Sequence, residues 1–388
     1  MNRILLIFVL VTLSFAQLTK AQSTTGSGVV RSAVPFLTIA PDSRGGAMGD
    51  VGAATLPDVN SQFWNPAKYA FTKSNSGVAL SYTPWLRNLV QDMNLAYLVG
   101  YHKLDDLQTI SASLRYFDLG SMQFYTASGD PNGGSSPNEF SVDMAYALKL
   151  SDNWSGSVGL RYILSDIYSG VSQASGSTTA YKAGQSYAAD VAFFYNKTFF
   201  KSRKETNIAG GLNISNIGAK ISYDGGEEKD FIPTNLRLGG TYTTEIDKYN
   251  KISVSLDFNK LLVPTLDAND STFAGLGGSD IGPIEGIFSS FGDAPGGMKE
   301  ELQEVTVSLG AEYWYSEQFA IRAGYFNEAA NKGDRKFLTF GAGLKMNVFS
   351  LDFSYIYTIA RQSPLEGTLR FTLGLDLESF KNQGRTRR

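Results

Sequence analysis

Hydrophobic and polar residues alternate with a period of two from residue 76 almost to the end of the chain. In 252–258, for example, Ile252, Val254 and Phe258 share one face, while Ser253 and Ser255 fall on the other. This alternation predicts β-strands with one apolar and one polar face. We predict fourteen strands: 76–85, 91–102, 108–118, 138–151, 153–166, 185–199, 204–215, 234–246, 250–261, 301–315, 317–328, 336–348, 350–361 and 366–379.

The strands are long, and the segments between them alternate in length. About 11 residues is the length that a tilted membrane strand needs, roughly twice the mean for globular sheets. The connections after the second, fourth, sixth, eighth, tenth and twelfth strands are short, whereas those after the third, fifth, seventh and ninth are long: 119–137, 167–184, 216–233 and 262–300. Short periplasmic turns and long extracellular loops are typical of outer-membrane barrels. The sequence therefore predicts an all-β fold, a transmembrane antiparallel β-barrel of about 14 strands over 76–380.

Composition agrees with a barrel and excludes several other classes of protein. Charged residues make up 18% and aromatic residues 13% of the chain, whereas an average soluble domain carries about 25% charged residues. The absence of cysteine excludes disulfides, zinc–thiolate sites, a cysteine nucleophile and a lipid-modified cysteine. A net charge of −3 gives no basic surface for nucleic acid.

The N-terminus has the pattern of an export signal. Arg3 precedes the apolar run 4–15, and Thr19-Lys20-Ala21 provides a small-residue cleavage site. A run of about 12 residues is too short to cross a bilayer of about 30 Å as a helix. We therefore predict a signal peptide at 1–21, a leader and plug at 22–75, and a periplasmic tail at 381–388.

The segment 36–71 is rich in glycine and alanine and follows neither the strand nor the helix period. Eight strands fill their own barrel and sixteen to eighteen leave a channel, so a barrel of about fourteen strands has a lumen to be closed. We predict that 36–71 plugs it. Its charged residues are expected to pair with arginines on the polar strand faces, as a structural network or, alternatively, a charged gate: Asp42, Arg44, Asp50 and Asp58 with Arg115, Arg161, Arg237, Arg322 and Arg370.

The remaining chemical motifs are weak. His102 is the single histidine, at a strand end where Asp105 or Asp106 can pair with it. The acidic stretch 267–270 lacks the glycine and closing glutamate of an EF-hand, and the glycines in 275–278 have no lysine for a phosphate loop. We predict no enzyme activity, catalytic residue, metal site or cofactor.

The loop 262–300 is the most informative predicted surface. At 39 residues it is far longer than ordinary loops, and it contains Ile284, Ile287, Phe288 and Phe291. A short helix at 284–288 would lie over the barrel mouth. Exposed apolar groups at this height predict a contact with a partner or with a lipid-like ligand.

A family resemblance rests on the residues of the plug. Arg44-Gly45-Gly46-Ala47-Met48-Gly49, followed by Asn65-Pro66-Ala67, resembles the N-terminal segment of FadL-type outer-membrane barrels, where a similar run plugs the barrel. With Pro41-Asp42-Ser43 before it and Phe63-Trp64 near its end, the segment is more specifically similar to the PorV family of type IX secretion.

That resemblance implies a non-enzymatic protein of the outer membrane, surrounded by its lipid. It would bind the C-terminal signal domain of cargo at a SprA-type translocon and deliver the cargo to a PorU-type sortase and attachment complex. The alternative that remains open is a FadL-like transporter of hydrophobic small molecules, with a general porin as a third hypothesis.

Overall fold

The structure, a computed structural model, describes residues 29–125, 128–167, 182–201, 204–225, 228–265, 281–360 and 363–380. The predicted signal peptide at 1–21, the tail at 381–388 and the motifs at 267–270 and 275–278 lie outside these residues. In the described part of the chain, no helix is long and apolar enough to cross a membrane.

Besides a helical turn at 377–380, the described residues contain sixteen strands and six short helices. The strands are β1 (Ser76–Pro84), β2 (Asn94–Lys103), β3 (Gln108–Asp118), β4 (Met122–Tyr125), β5 (Pro131–Ser135), β6 (Asn138–Lys149), β7 (Trp154–Asp166), β8 (Gly184–Lys201), β9 (Lys204–Gly218), β10 (Asn235–Glu245), β11 (Asn250–Leu261), β12 (Thr306–Tyr315), β13 (Phe319–Asn327), β14 (Lys336–Lys345), β15 (Phe349–Thr358) and β16 (Leu369–Asp376). The helices are α1 (Ser43–Gly46), α2 (Ser61–Trp64), α3 (Pro283–Ser289), α4 (Met298–Gln303) and two 3₁₀ turns, Pro35–Thr38 and Pro66–Phe71.

Fourteen strands form a closed antiparallel barrel, and β4 and β5 form a separate hairpin in the loop after β3. Each barrel strand pairs with the next along the chain, and β1 closes the ring on β16 with Leu80 opposite Leu373. Among the barrel ladders the register shifts at one place, between Ala189 and Val191 of β8. Closure leaves no free edge, the condition for a sheet to span a bilayer. The predicted fold and strand number are confirmed.

The barrel wall is apolar outside and polar inside. On β11, Val254 and Phe258 are exposed, whereas Ser255 and Asp257 are buried. On β16, Leu373 likewise faces outward and is exposed. Exposed apolar side chains all around a closed barrel require a hydrocarbon environment, as in a membrane.

Two details of the predicted strands were wrong. Residues 301–303 belong to α4, and β12 begins only at Thr306. Lysine, glutamate and glutamine are strong helix formers, and the two glutamates in the first turn of α4 favour its N-terminus, so local propensity prevails there. The loop 119–137, predicted only as a long connection between two strands, contains the β4–β5 hairpin.

Candidate functional site

The segment Pro35–Thr72, here called the inner segment, lies inside the barrel. Its backbone N–H groups donate to inward side chains of three strands at 2.7–2.9 Å: Ser43 to Thr372, Gly49 to Thr339, and Gly52 and Ala53 to Asp257. These contacts hold the irregular backbone against β11, β14 and β16, so polar groups of the wall replace water as its partners.

The inner segment is also bound to the opposite wall. Asn65 Nδ2 donates to the carbonyl of Phe193 on β8 at 2.9 Å. Ser155 Oγ of β7 donates to the carbonyl of Ala67 at 2.7 Å, and Ser111 Oγ of β3 donates to the Gln62 side chain at 2.6 Å. Contacts on both sides of the lumen anchor the inner segment across the barrel.

The glycines of the predicted plug motif allow close packing. A Cβ at Gly45 would lie 2.3 Å from the Trp64 ring, and one at Gly46 would lie 2.6 Å from Arg370 Nη1. Gly49 has φ +71° and touches the backbone of Tyr325, so only glycine fits there without strain. Met48 is buried beside them.

Asn65, Pro66 and Ala67, the second part of the motif, fix the start of a 3₁₀ turn. The Asn65 side chain accepts from the N–H of Ala67 at 3.0 Å and donates to the carbonyl of Ala53 at 3.0 Å. Pro66 occupies the first position of the turn, where no N–H is needed. The motif thus shapes the segment; which function it serves stays a prediction.

A buried ion-pair network joins the inner segment to the wall. Arg44 pairs with Glu312 of β12 at 2.8 Å and with Asp58 at 2.9 Å. Glu312 also pairs with Arg322 at 2.7 Å, and Arg322 reaches Asp352 at 2.6 Å. Glu312 therefore holds two buried arginines together, one from the segment and one from the barrel.

Most predicted pairs between segment acids and wall arginines are wrong. Among these acids only Asp50 forms a salt bridge with one of the arginines, with its Oδ1 3.8 Å from Arg370 Nη2. Asp42 accepts from Trp64 Nε1 at 2.5 Å instead. The barrel supplies its own carboxylates: Arg161 pairs with Asp143 and Asp190.

Arg115 and Arg237, the two remaining arginines of the predicted network, contact aromatic rings or backbone carbonyls. Arg115 donates to the carbonyls of Phe36 and Leu37 and lies 4.6 Å from the Phe63 ring centroid. Arg237 lies 4.5 Å from the centroid of the Trp64 ring. Cation–π contacts of this kind hold a desolvated guanidinium without a carboxylate.

Glu312→Gln is expected to loosen the inner segment. Arg44 and Arg322 then lose their shared buried carboxylate, and breaking such a buried pair costs about 3–5 kcal/mol. We expect a lower midpoint for the heat-induced gel-mobility shift and faster proteolysis of the inner segment. Glu317→Gln, at an exposed glutamate 3.6–4.0 Å from Lys251 and Lys73, is the control and should change stability by less than about 1 kcal/mol. Equal midpoints for both variants would contradict the network's role.

A cavity, here called the vestibule, lies above the inner segment at the end of the barrel that carries the long loops. Its volume is about 660 Å³. Asp50 and Phe63 of the inner segment line its floor together with Arg237 and Arg370. The vestibule was not predicted, because its walls come from strand ends far apart in sequence.

The long loop presents an apolar surface beside the vestibule. The predicted helix is present as α3, and Ile284, Phe288 and Phe291 are 58%, 73% and 48% exposed. Ile287 is half-buried and does not share this exposure. Helix α4 adds the exposed Met298 and Leu302, which sequence reasoning missed because it placed part of α4 in a strand. We call the five exposed residues the loop patch: Ile284, Phe288, Phe291, Met298 and Leu302.

Salt bridges anchor the loop patch to the barrel. Lys260 of β11 pairs with Glu301 at 3.1 Å and with Glu304. Lys332 of the β13–β14 loop pairs with Glu304 at 3.0 Å and with Glu300 at 2.6 Å. Two lysines thus bind three glutamates, and α4 is held rigidly at the barrel rim.

The same region contains a compact carboxylate cluster. Oxygens of Asp293, Glu301 and Glu304 lie within 4.8 Å of one another. Burial, together with the nearby Glu301 and Glu304, raises the pKa of Asp293 to about 6 against the lowering effect of the Thr265 N–H. Because Lys260 bonds both glutamates, the cluster is an ion-pair network.

The predicted contact of His102 is wrong. Its Nδ1 lies 2.6 Å from Ser76 Oγ on the neighbouring strand. Asp105 instead accepts from the N–H groups of Leu107 and Gln108, which closes the short turn. His102 therefore belongs to an ordinary strand-end contact.

Comparison with known proteins identifies one family. The family model described as type IX secretion system protein PorV matches residues 22–268. No curated protein sequence matches the chain.

Among solved structures, the chain is similar to a deltaS2S3 mutant of the TodX monoaromatic hydrocarbon channel, with 10% identity over 86% of this chain and 98% of that one, at a TM-score of 0.49. It is also similar to the Ralstonia pickettii toluene transporter TbuX, with 12% identity over 87% of this chain and 96% of that one, at a TM-score of 0.44. At such identities the likeness concerns the fold alone.

Proposed function

Because the chain belongs to the PorV family of type IX secretion system proteins, we propose that it is a carrier of secreted cargo. It binds the C-terminal signal domain of cargo at a SprA-type translocon and delivers it to a PorU-type sortase and attachment complex. The family and the barrel together support a place in the outer membrane as a component of this secretion system.

The loop patch is the observation that carries the proposal. Phe288 and Phe291 are large exposed side chains on the long loop, outside the barrel strands. Exposed apolar groups of this kind mark protein contacts, and a few such anchors supply most of the binding energy. Since the salt bridges of Lys260 and Lys332 already fix the neighbouring α4, little conformational entropy is lost when a partner binds.

The lumen favours a carrier over the alternative FadL-like transporter of hydrophobic small molecules. Such a transporter needs an apolar route through the barrel or an opening in its wall. Here the inner face carries buried ion pairs such as Glu312–Arg322, and the inner segment crosses the lumen. The described strands form a closed ring of hydrogen-bonded ladders, with a single register shift between Ala189 and Val191. An open general porin is disfavoured for the same reason.

The proposal is tested by what co-purifies with the tagged protein from detergent-solubilised outer membranes. A carrier brings down translocon and attachment proteins, together with secreted proteins that still have their C-terminal signal domains. A transporter brings down lipid-like compounds and no secreted protein, and that result would overturn the proposal.

A further inference from the structure

The floor of the vestibule holds two buried arginines with unused donors. Arg370 is 1% exposed and Arg237 is 8% exposed. Among the described residues, Nε and Nη1 of Arg370 and Nη1 of Arg237 have no hydrogen-bond partner. A buried unpartnered N–H is costly and rare in folded proteins, and it is more so on a charged group. Both side chains line the same cavity, so a ligand seated on its floor is placed to supply the missing partners.

The two arginines of the floor have weak carboxylate partners. Asp50 lies 3.8 Å from Arg370 and within electrostatic reach of Arg237. Arg237 also interacts electrostatically with Asp257, which lies outside the cavity lining and accepts from the N–H groups of Gly52 and Ala53. The other cations of the vestibule are already paired, Arg335 with Glu328 at 2.7 Å and Lys332 with two glutamates. Arg237 thus makes no salt bridge with a described residue and Arg370 makes only a long one, so the two guanidinium groups remain open to an anionic ligand.

The walls of the vestibule are of two kinds. Asn235 and Asn259 present amide groups on one side, and Phe326, Phe337 and Ile356 present apolar surface on another. A hydrocarbon tail is best matched by apolar walls throughout. A peptide chain needs amide partners for its backbone and apolar contacts for its side chains. A cavity of about 660 Å³ falls in the range of roughly 300–1,000 Å³ for small-ligand sites, so it admits the end of a chain and excludes a folded domain.

We propose that the vestibule binds the free carboxylate at the C-terminus of a polypeptide. Arg237 and Arg370 donate to its two oxygens, as guanidinium groups do in charge-assisted pairs with carboxylates. The inference rests on the proposed carrier function, in which the cargo is recognised through its C-terminal domain. The loop patch then binds the surface of that domain, and the vestibule receives its end.

The test uses the full-length protein in non-ionic detergent and two fluorescein-labelled peptides. Both have the last ten residues of a protein secreted through the same system, one with a free terminal carboxylate and one with a terminal amide. Fluorescence anisotropy should give about tenfold weaker binding for the amide, because a hydrogen bond to a charged group is lost. Arg237→Gln and Arg370→Gln should weaken binding of the free acid by a similar factor and abolish the preference.

Asp50→Asn should act in the opposite direction. It removes the carboxylate that competes with the ligand for the same two arginines. The free-acid peptide should therefore bind several-fold tighter. A misfolded variant cannot bind tighter, which separates the site from a general loss of structure. Lys345→Gln, which removes one positive charge at the other end of the barrel, is the control and should leave both affinities unchanged.

Two results would overturn the inference. Equal affinity for the acid and the amide would exclude a terminal-carboxylate site. The other is displacement of the free-acid peptide by decanoate, if decanoate also binds Asp50→Asn and the wild type with equal affinity. This result would assign the vestibule to lipid-like ligands. If cargo co-purifies while the two peptides bind alike, the carrier function stands and only this site is wrong. If no cargo co-purifies, the carrier function fails whatever the peptides do.

Discussion

The variant in which Ile284, Phe288 and Phe291 are all serine is expected to assemble as a barrel and to lose its cargo. All three side chains are exposed on the long loop and outside the strand ladders, so their removal leaves barrel pairing intact. An interface anchor contributes about 1–3 kcal/mol, and the three together weaken cargo binding on the order of a hundredfold or more. The measurement is the amount of cargo that co-purifies, together with the fraction of secreted protein that keeps its C-terminal domain.

The matched control removes the same kind of side chain from the opposite end of the barrel. Leu104, Leu107 and Ile246 are comparably exposed in or beside the short turns, and changing all three to serine should leave cargo binding unchanged. Heat-modifiable gel mobility reports assembly in both variants, because a closed barrel resists detergent. Normal secretion with normal co-purification in the loop variant would exclude the loop patch as the recognition surface.

Gly211→Val is expected to displace the inner segment and to open the lumen. A Cβ at this inward position of β9 would lie 1.9 Å from the carbonyl oxygen of Ala53, a distance no packed atom adopts. Valine is favoured in strands, so the barrel itself is not weakened. We expect higher conductance in planar bilayers and faster entry of small hydrophilic solutes, and deletion of 36–71 should have the same effect.

Gly210 supplies the control for this prediction. It is the adjacent residue of β9 and faces outward, and a Cβ there would meet only Tyr195 Cβ at 4.0 Å. Gly210→Val should therefore conduct like the wild type. If Gly211→Val also conducts like the wild type while its inner segment becomes sensitive to protease, another part of the molecule closes the pore.

The barrel could be predicted from the sequence because the two patterns that indicate it are visible along the chain. Apolar and polar residues alternate along each strand and identify the face that meets lipid, as Val254 and Ser255 illustrate. Short and long connections between strands also alternate along the chain. The short helix at 284–288 was predictable for the same reason. Helix α4 was missed because Glu301, Leu302 and Gln303 were assigned to the start of the next strand, while the helix-forming Lys299 and Glu300 were left in the loop.

The partners of charged groups could not be predicted, because they depend on how separate strands are placed around the lumen. Arg44 meets Glu312 across 268 residues of sequence, and no local pattern specifies that contact. The vestibule was hidden for the same reason, since Arg237 and Arg370 approach Asp50 from strands far apart in the chain. The plug motif itself could be recognised because its three glycines fall within five residues, and their close packing against Trp64 and Tyr325 explains why small residues occur there.

The most direct measurement of the central claim is affinity purification of the tagged wild-type protein from outer membranes, with the loop variant processed in parallel. Mass spectrometry of the eluate then counts peptides from the C-terminal signal domains of secreted proteins. The account predicts that these peptides are abundant with the wild type and absent with the variant, at equal recovery of the barrel. Recovery of the barrel with no secreted protein in either sample would contradict it.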